Sequence, residues 1–250
     1  MSEVVAVGVI FTDQGEIEAP ARALIIVAHP DDIDFGMAGT VAALTSAGCH
    51  VAYCLATSGE AGDDDMSHTP EELAAMRQAE QTAAAANVGV SELHWLGHPD
   101  GMVVADLGLR RDIARVIRIV RPDAVLCQTT IPNWDHIYIS HPDHLATATA
   151  ALAAVYPDSR NPRAFPELLD EGHKPHNVSE IWLIGTEPNR YIDITDTFEN
   201  KVAALREHRS QTEHMEDLDG RLREWSSETA RAGGLPEGRL AEAFRVVAAG

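Results

Sequence analysis

The chain has 250 residues, of which 45% are hydrophobic and 23% are charged, and it carries a formal net charge of −20 at pH 7. This length and composition are typical of a globular protein with one substantial core. The negative charge argues against a nucleic-acid partner and against an anionic membrane surface, because both would repel the chain. A neutral or cationic small molecule remains compatible with it.

The predicted elements follow from runs of apolar residues and from their periodicity. In chain order they are a strand over 4–11, a strand over 24–28, a helix over 36–47, a strand over 51–57, a loop over 58–65, a helix over 69–86, a strand over 93–96, a helix over 107–120, a strand over 124–128, a helix over 141–155, a loop over 157–175, strands over 180–185 and 191–194, and a helix over 195–211.

Strands that alternate with helices predict a single α/β domain. We expect a Rossmann-like, mostly parallel sheet with helices on both faces and a core over residues 20–211. The charged segment 212–250 is expected to be a peripheral extension, with a polar helix, an Ala-Gly-Gly-Leu-Pro linker at 232–236 and a last short helix. His208, in a polar stretch, is expected at the surface.

Three cysteines, Cys49, Cys54 and Cys127, are widely spaced and lie in apolar stretches. Their odd number and their surroundings predict reduced, buried thiols, as in a cytoplasmic protein. Glu3 stands where a signal peptide would carry a basic residue, so we expect the first ten residues to belong to the mature chain. No apolar run approaches the roughly 18 residues that a membrane span requires.

The tripeptide His-Pro-Asp occurs three times, at 29–31, 98–100 and 141–143. The first copy continues into Asp32 and the last into His144. Imidazole and carboxylate groups hold divalent metals in proteins, and the same groups act as general acids and bases. The repeated motif therefore indicates a metal site with acid–base chemistry.

The first copy directly follows the apolar run 24–28, at the end of a predicted strand, where open α/β sheets keep their active sites. Catalytic zinc takes three protein ligands and leaves one position for water. His29 and Asp32 can both reach one ion, and His144 can supply the third ligand. Asp31, beside Asp32, is then the candidate general base.

Hydrolysis at such a metal site needs a second group, one that stabilises the oxyanion and protonates the leaving group. His141 is the candidate, at the predicted start of a helix. We expect Asp143 to orient the His141 imidazole and to keep it protonated.

The motifs at 28–32 and 141–144, in this order, resemble the PIG-L (LmbE-like) family of zinc-dependent N-deacetylases. The likeness extends over about residues 24–150 through the segments 34–40, 57–60, 77–80 and 100–101. It implies a Rossmann-like fold and removal of an acetyl or other acyl group from the 2-amino group of a glucosamine unit. It assigns the same roles to the residues of both motifs: His29, Asp32 and His144 bind zinc, Asp31 is the base, and His141 is the acid or stabiliser.

The resemblance also implies two substrate contacts, from Arg77 in an Arg-x-x-Glu pattern and from Asp100 in Asp-Gly. The expected partner is a small N-acetylglucosaminide, and the expected metal is Zn²⁺, although the ligand set also accepts iron(II) or cobalt. Some relatives place a stabilising Tyr two residues before the first His of the second motif. Ile139 holds that position here and Tyr138 is displaced by one, so the role is not transferred.

Other functions stay open at this point. Related amide hydrolysis, as in a mycothiol S-conjugate amidase, would use the same site. A metal-dependent sugar-binding module would not need Asp31 or His141. A nucleotide-binding protein would need a Gly-rich turn where residues 29–32 stand, and Ser58-Gly59 lacks the pattern of a serine hydrolase. The acidic loop 60–65 disfavours a strongly anionic substrate, and a homo-oligomer is compatible with the sequence.

Overall fold

The computed structural model describes residues 8–63 and 66–250. Within these residues one mixed sheet contains nine strands. They are β1 (Val9–Thr12), β2 (Gly15–Glu18), β3 (Arg22–Val27), β4 (His50–Leu55), β5 (Glu92–Trp95), β6 (Ala124–Gln128), β7 (Glu180–Ile184), β8 (Arg190–Asp193) and β9 (Ala241–Ala248). The α-helices are α1 (Asp32–Ser46), α2 (Pro70–Asn87), α3 (Leu107–Val120), α4 (Pro142–Ala153), α5 (Glu167–Asp170), α6 (Phe198–Glu207), α7 (Arg209–Thr212) and α8 (Leu218–Ala232).

The strand order across the sheet is β2-β1-β8-β9-β7-β6-β3-β4-β5. The five strands from β7 to β5 are parallel, whereas β9 runs antiparallel to β7 and to β8. The chain order reverses at β3, which pairs with β4 on one side and β6 on the other. Ligand sites of open α/β sheets lie outside the carboxyl ends of the strands at such a reversal. The expected α/β fold with a mostly parallel sheet is confirmed.

Helices cover both faces of the sheet, so two apolar layers form. One layer packs α1, α2, α6 and α8 against the sheet, and the other packs α3 and α4. Successive side chains of β3 alternate between them: Ile25 and Val27 enter the first layer, and Leu24 and Ile26 enter the second. Burial on both faces explains why this strand is apolar at successive positions.

The C-terminal segment differs from the expectation. Residues 241–248 form strand β9 inside the sheet, between β7 and β8, and not a short peripheral helix. The alanines of this segment favoured a helix by intrinsic propensity. Pairing with two strands and burial of Phe244 override that preference, so the core extends well beyond residue 211.

Other boundaries also shift. The helix expected over 195–211 begins with a 3₁₀ turn and is interrupted at His208, between α6 and α7. Helix α1 starts at Asp32, inside the first motif, four residues before the expected start. The first strand covers Val9–Thr12, and residues 4–7 of the expected strand lie outside the described residues.

The helix start expected at Thr69 is confirmed in detail. The Thr69 hydroxyl accepts a hydrogen bond from the Glu72 main-chain N–H, and the Glu72 carboxylate accepts one from the Thr69 main-chain N–H. Pro70 occupies the first turn, where its missing N–H costs nothing. This reciprocal cap fixes where α2 begins.

All three cysteines are buried and free, as the sequence predicts. Within the described part of the chain, no helix combines the length and the apolar character that crossing a bilayer requires.

The position of β9 predicts that Phe244 contributes strongly to stability. Its ring is fully buried and packs edge-on against Trp182, with centroids 5.5 Å apart. Phe244→Ala should lower the free energy of unfolding by about 3–5 kcal/mol, because it removes apolar contacts and leaves a cavity. Val247→Ala, on an exposed position of the same strand, is the control and should change it by about 0.5 kcal/mol or less. Equal effects of the two substitutions in urea unfolding would contradict the central position of β9.

Candidate active site

The residues of the first and last motifs meet at the carboxyl ends of β3 and β6. Residues 28–32 connect β3 to α1, and residues 141–144 begin α4. The second His-Pro-Asp copy, 98–100, follows β5 and joins them through Asp100. The topology thus brings together three segments that are far apart in sequence.

Three candidate ligand side chains converge on one point. His29 Nδ1 lies 3.1 Å from His144 Nε2 and 3.6 Å from Asp32 Oδ2, and His144 Nε2 lies 3.0 Å from Asp32 Oδ1. Zinc–ligand bonds of about 2.0–2.2 Å in a tetrahedron place neighbouring ligand atoms about 3.3–3.5 Å apart. His29, Asp32 and His144 therefore fit a divalent ion with little rearrangement.

The other ring nitrogen of His29 faces two carboxylates. His29 Nε2 lies 2.9 Å from Asp100 Oδ1 and 3.3 Å from Asp143 Oδ2. These three groups are close enough to hold a metal themselves. However, Asp143 already accepts the main-chain N–H groups of Gly101 (2.7 Å) and Val103 (3.1 Å). A histidine that binds metal through one nitrogen usually donates the other N–H to a carboxylate, which fits Asp100 and Asp143 as the groups that orient His29.

The contact between Asp143 and His141 differs from the expectation. The Asp143 carboxylate is fully buried and bonded to Gly101 and Val103, so the structure gives it no hydrogen bond to the His141 ring. Instead the Asp143 main-chain N–H donates to His141 Nδ1 at 3.2 Å. Burial and the charge of His29 lower the pKa of His141 despite the nearby Asp143. A neutral ring that accepts at Nδ1 carries its proton on Nε2 and presents a donor there.

The His141 ring is also near the candidate metal ligands. Its centroid lies 4.8 Å from that of His29 and 5.4 Å from that of His144, and the three imidazoles offer nitrogen atoms within 4.8 Å of one another. Because a protonated Nε2 has no lone pair for a metal, the geometry favours His141 as a hydrogen-bond donor beside the ion.

Negative charge dominates the centre. Burial alone would lower the pKa of His29, but hydrogen bonds and charge from Asp100 and Asp32 raise it to about 10. Burial, together with the charge of Asp32, raises the pKa of Asp31 to about 7 against the opposing charge of Arg77. The His29 shift reflects the carboxylates around its ring, whereas the Asp31 shift reflects chiefly its burial. A divalent cation would offset the negative charge of these carboxylates.

Asp31 is held in an uncommon conformation. Its φ of 81° lies in the left-handed region, which is disfavoured for a residue with a side chain. The Asp31 main-chain N–H donates to Gln81 Oε1 at 2.9 Å, and Arg77 donates to Asp31 Oδ2 at 3.2 Å. These two contacts fix the candidate base from helix α2.

Arg77 points inward. It is 4% exposed and also donates to the main-chain oxygens of Pro30 and Gly59, each at 2.9 Å. Gly59 has a φ of 70°, and a Cβ there would lie 2.3 Å from Arg77 Nη1, so this position needs glycine. In the structure Arg77 positions Asp31, and Asp100 contacts His29. The sugar contacts of both residues stay predictions.

A buried polar network continues behind Asp31 and was missed in the sequence. Gln81 Nε2 donates to Asp34 Oδ2 at 2.8 Å, and His208 Nε2 lies 2.8 Å from the same oxygen. All three side chains are fully buried, so the surface position expected for His208 is wrong. Burial would lower the pKa of His208, but the hydrogen bond to Asp34 and the charges of Asp34, Asp31 and Glu80 together raise it. Gln81 lies one helical turn after Arg77, and this spacing was the available signal.

A family model described as GlcNAc-PI de-N-acetylase (PIG-L) matches residues 24–155, more than half of the chain. The chain belongs to the PIG-L family. A diacetylchitobiose deacetylase of Thermococcus kodakarensis is 34% identical over 191 residues, covering 76% of this chain and 70% of that protein. A probable N-acetyl-alpha-D-glucosaminyl L-malate deacetylase 2 of Bacillus cereus is 29% identical over 214 residues, 83% of this chain and 92% of that protein.

Among solved structures, an N,N'-diacetylchitobiose deacetylase from Pyrococcus horikoshii in complex with its inhibitor MPG is similar to this PIG-L chain, with a TM-score of 0.83 and 33% identity. The match covers 92% of this chain and 85% of that one. Sequence and fold therefore agree on the same family.

The network behind Asp31 generates a stability prediction. Gln81→Leu removes the acceptor of the Asp31 N–H, leaves that buried donor unpaired, and should lower the free energy of unfolding by about 1–3 kcal/mol. Gln78→Leu is the matched control on the same helix, because the Gln78 amide donates to the Ser58 hydroxyl and the residue is only partly buried. Urea unfolding of both variants checks this. Equal losses would contradict a special role for Gln81.

Proposed function

We propose that the chain is a zinc-dependent hydrolase that removes the N-acetyl group from the 2-amino group of a glucosamine-containing small molecule. The observation that carries the proposal is the convergence of His29, Asp32 and His144 beside the half-buried carboxylate of Asp31. Deacetylases of N-acetylglucosamine compounds among the relatives support the choice of bond and of sugar.

The donor set suits zinc. Two imidazole nitrogens and one carboxylate oxygen are the ligands of many catalytic zinc sites, and such a set leaves a position open. When bound, zinc supplies a Lewis acid that polarises the amide carbonyl and makes water a better nucleophile. The Asp32 carboxylate accepts the His29 main-chain N–H at 2.8 Å, which holds it in place before any ion arrives.

Asp31 acts as the general base in this proposal. It takes a proton from water while the water oxygen bonds to the acyl carbon. A pKa of about 7 suits a group that must take up and return a proton near neutral pH. Arg77 keeps the carboxylate in place. The protonated Asp31 can then pass its proton to the leaving nitrogen as the carbon–nitrogen bond breaks, which yields acetate and the amine.

His141 stabilises the oxyanion in this proposal. Its Nδ1 accepts the Asp143 N–H, so the neutral ring offers Nε2–H to the oxygen on which negative charge develops. The proposal thus keeps His141 as a catalytic residue, with donation to the oxyanion as its main task. Asp143 acts indirectly, through its main-chain N–H and through the orientation of His29.

The ligand assignment predicts the metal content of variants. His144→Ala should bind well below one zinc per chain, because one of three protein bonds to the ion is lost. His50→Ala is the control. The His50 imidazole pairs with Glu92 at the amino ends of β4 and β5, away from the candidate site at the carboxyl ends of the strands, so full zinc occupancy is expected. Zinc can be measured by elemental analysis after dialysis. Full occupancy in His144→Ala would refute the ligand set.

The Asp31→Asn variant tests whether Asp31 acts as the general base or binds the metal. Asn tolerates the left-handed conformation, so the variant should fold and keep its zinc. Its turnover should fall by about 10²–10⁴, the usual contribution of a positioned acid or base. The assay is amine release from a panel of N-acetylglucosaminides, before and after chelation and zinc return.

Two outcomes would contradict this scheme. Loss of zinc from Asp31→Asn would make Asp31 a ligand, and undiminished turnover would remove its role as base. A sugar-binding module without catalysis would release no amine in any variant, although it would still bind the sugar.

A further inference from the structure

An apolar pocket lies beside the candidate metal ligands. Its volume is about 280 Å³, and Asp32 and His144 form part of its wall. The remaining large side chains of the wall are apolar: Phe35, Ile131, Ile139, Leu145 and Ile184. Its polar lining side chains, apart from Asp32 and His144, are uncharged: Gln128, Thr129, Asn133 and Ser140. The pocket therefore suits a neutral, apolar group and offers no cation outside the metal site for a carboxylate or phosphate.

The pocket is larger than an acetyl group needs. A methyl group is close in size to a water molecule, whose share of the liquid volume is about 30 Å³. A pocket of 280 Å³ would leave most of its apolar wall in contact with water when only a methyl group enters. A longer acyl chain would cover this apolar surface and bind more tightly, because apolar surface removed from water stabilises the complex.

Two glycines shape the pocket. A Cβ on Gly36 would lie 2.7 Å from Ile184 Cδ1, which is too close for an undisturbed wall. Gly185 has a φ of 77°, and a Cβ there would lie 3.3 Å from Thr129 Cγ2. The absence of side chains at both positions therefore leaves room between α1 and the segment after β7.

The two sides of the site differ in polarity. The pocket wall includes Asp32 and His144, whereas Asp31, Arg77 and Asp100 are not part of it. In a planar amide, the acyl chain and the sugar nitrogen leave the carbonyl carbon in different directions. When the carbonyl is at the metal, the sugar hydroxyls suit the polar side and the acyl chain suits the apolar pocket.

We propose that this pocket binds an N-acyl chain longer than acetyl, of about four to eight carbons, because about nine groups the size of a water molecule, about 30 Å³ each, would fill its 280 Å³ completely. The inference rests on the proposed function and defines its substrate class. The reaction is the same hydrolysis: water gives its hydroxyl to the acyl carbon and its proton, through Asp31, to the nitrogen. The carbon–nitrogen bond breaks, and a fatty acid and the glucosamine amine are released.

A chain-length series tests the proposal on the zinc-loaded protein. The substrates are the N-acetyl, N-butyryl, N-hexanoyl and N-octanoyl derivatives of glucosamine, with the octyl glycoside of N-acetylglucosamine as a second arm. We expect kcat/KM to rise about fourfold per methylene up to hexanoyl, since burial of one CH₂ contributes about 0.8 kcal/mol. A kcat/KM that is highest for the acetyl compound would overturn the proposal. A gain for the octyl glycoside without a gain along the acyl series would also overturn it, because the pocket would then bind the aglycone.

Variants localise the effect to the pocket. Ile139→Trp places a larger side chain in the wall and should lower the ratio of hexanoyl to acetyl kcat/KM at least tenfold. Ile137→Trp is the matched control, because Ile137 and Ile139 are both exposed in the same short turn but only Ile139 is part of the wall. The control should keep the parent ratio, and an unchanged ratio in Ile139→Trp would overturn the proposal. Absence of amine release from every substrate would instead refute the proposed function.

Discussion

Three carboxylates crowd around one imidazole at the centre of this protein, and a fourth lies close to them. Asp32, Asp100 and Asp143 each lie within 3.6 Å of a ring nitrogen of His29, and Asp31 adds a further charge beside Asp32. Like charges at such distances repel strongly in a confined site, so the fold must offset them. Main-chain N–H groups donate to Asp100 and Asp143 and so offset their charge. A divalent cation would offset the charge of Asp32.

The sheet places these groups, and the C-terminal part of the chain holds them. Asp32 opens helix α1, and the same helix is anchored from behind by a fully enclosed ion pair. Lys201 Nζ lies 2.6 Å from Glu242 Oε1, and the Glu242 carboxylate accepts the main-chain N–H groups of Gly39 and Thr40 in α1. Because Glu242 belongs to β9, the last strand of the chain contributes to the position of the site. Breaking such a buried pair by removing one partner costs about 3–5 kcal/mol.

The sequence predicted what depends on local pattern. Buried strands such as β3, the capped start of α2 and the convergence of the two His-Pro-Asp motifs follow from apolar runs, cap residues and strand ends. It did not predict what depends on distant pairing. The alanines of β9 favour a helix until two strands flank them, and His208 looks like a surface residue until Asp34 meets it in the core. The contact of Asp143 with main-chain amides also required the three-dimensional position of residues 101–103.

Anomalous diffraction at the zinc edge, from crystals of the zinc-loaded protein, tests the central claim most directly. The account predicts one peak per chain, about 2.0–2.2 Å from His29 Nδ1, an Asp32 carboxylate oxygen and His144 Nε2. A peak between His29 Nε2, Asp100 and Asp143 would contradict it, because the carboxylates assigned to orient His29 would then be the ligands.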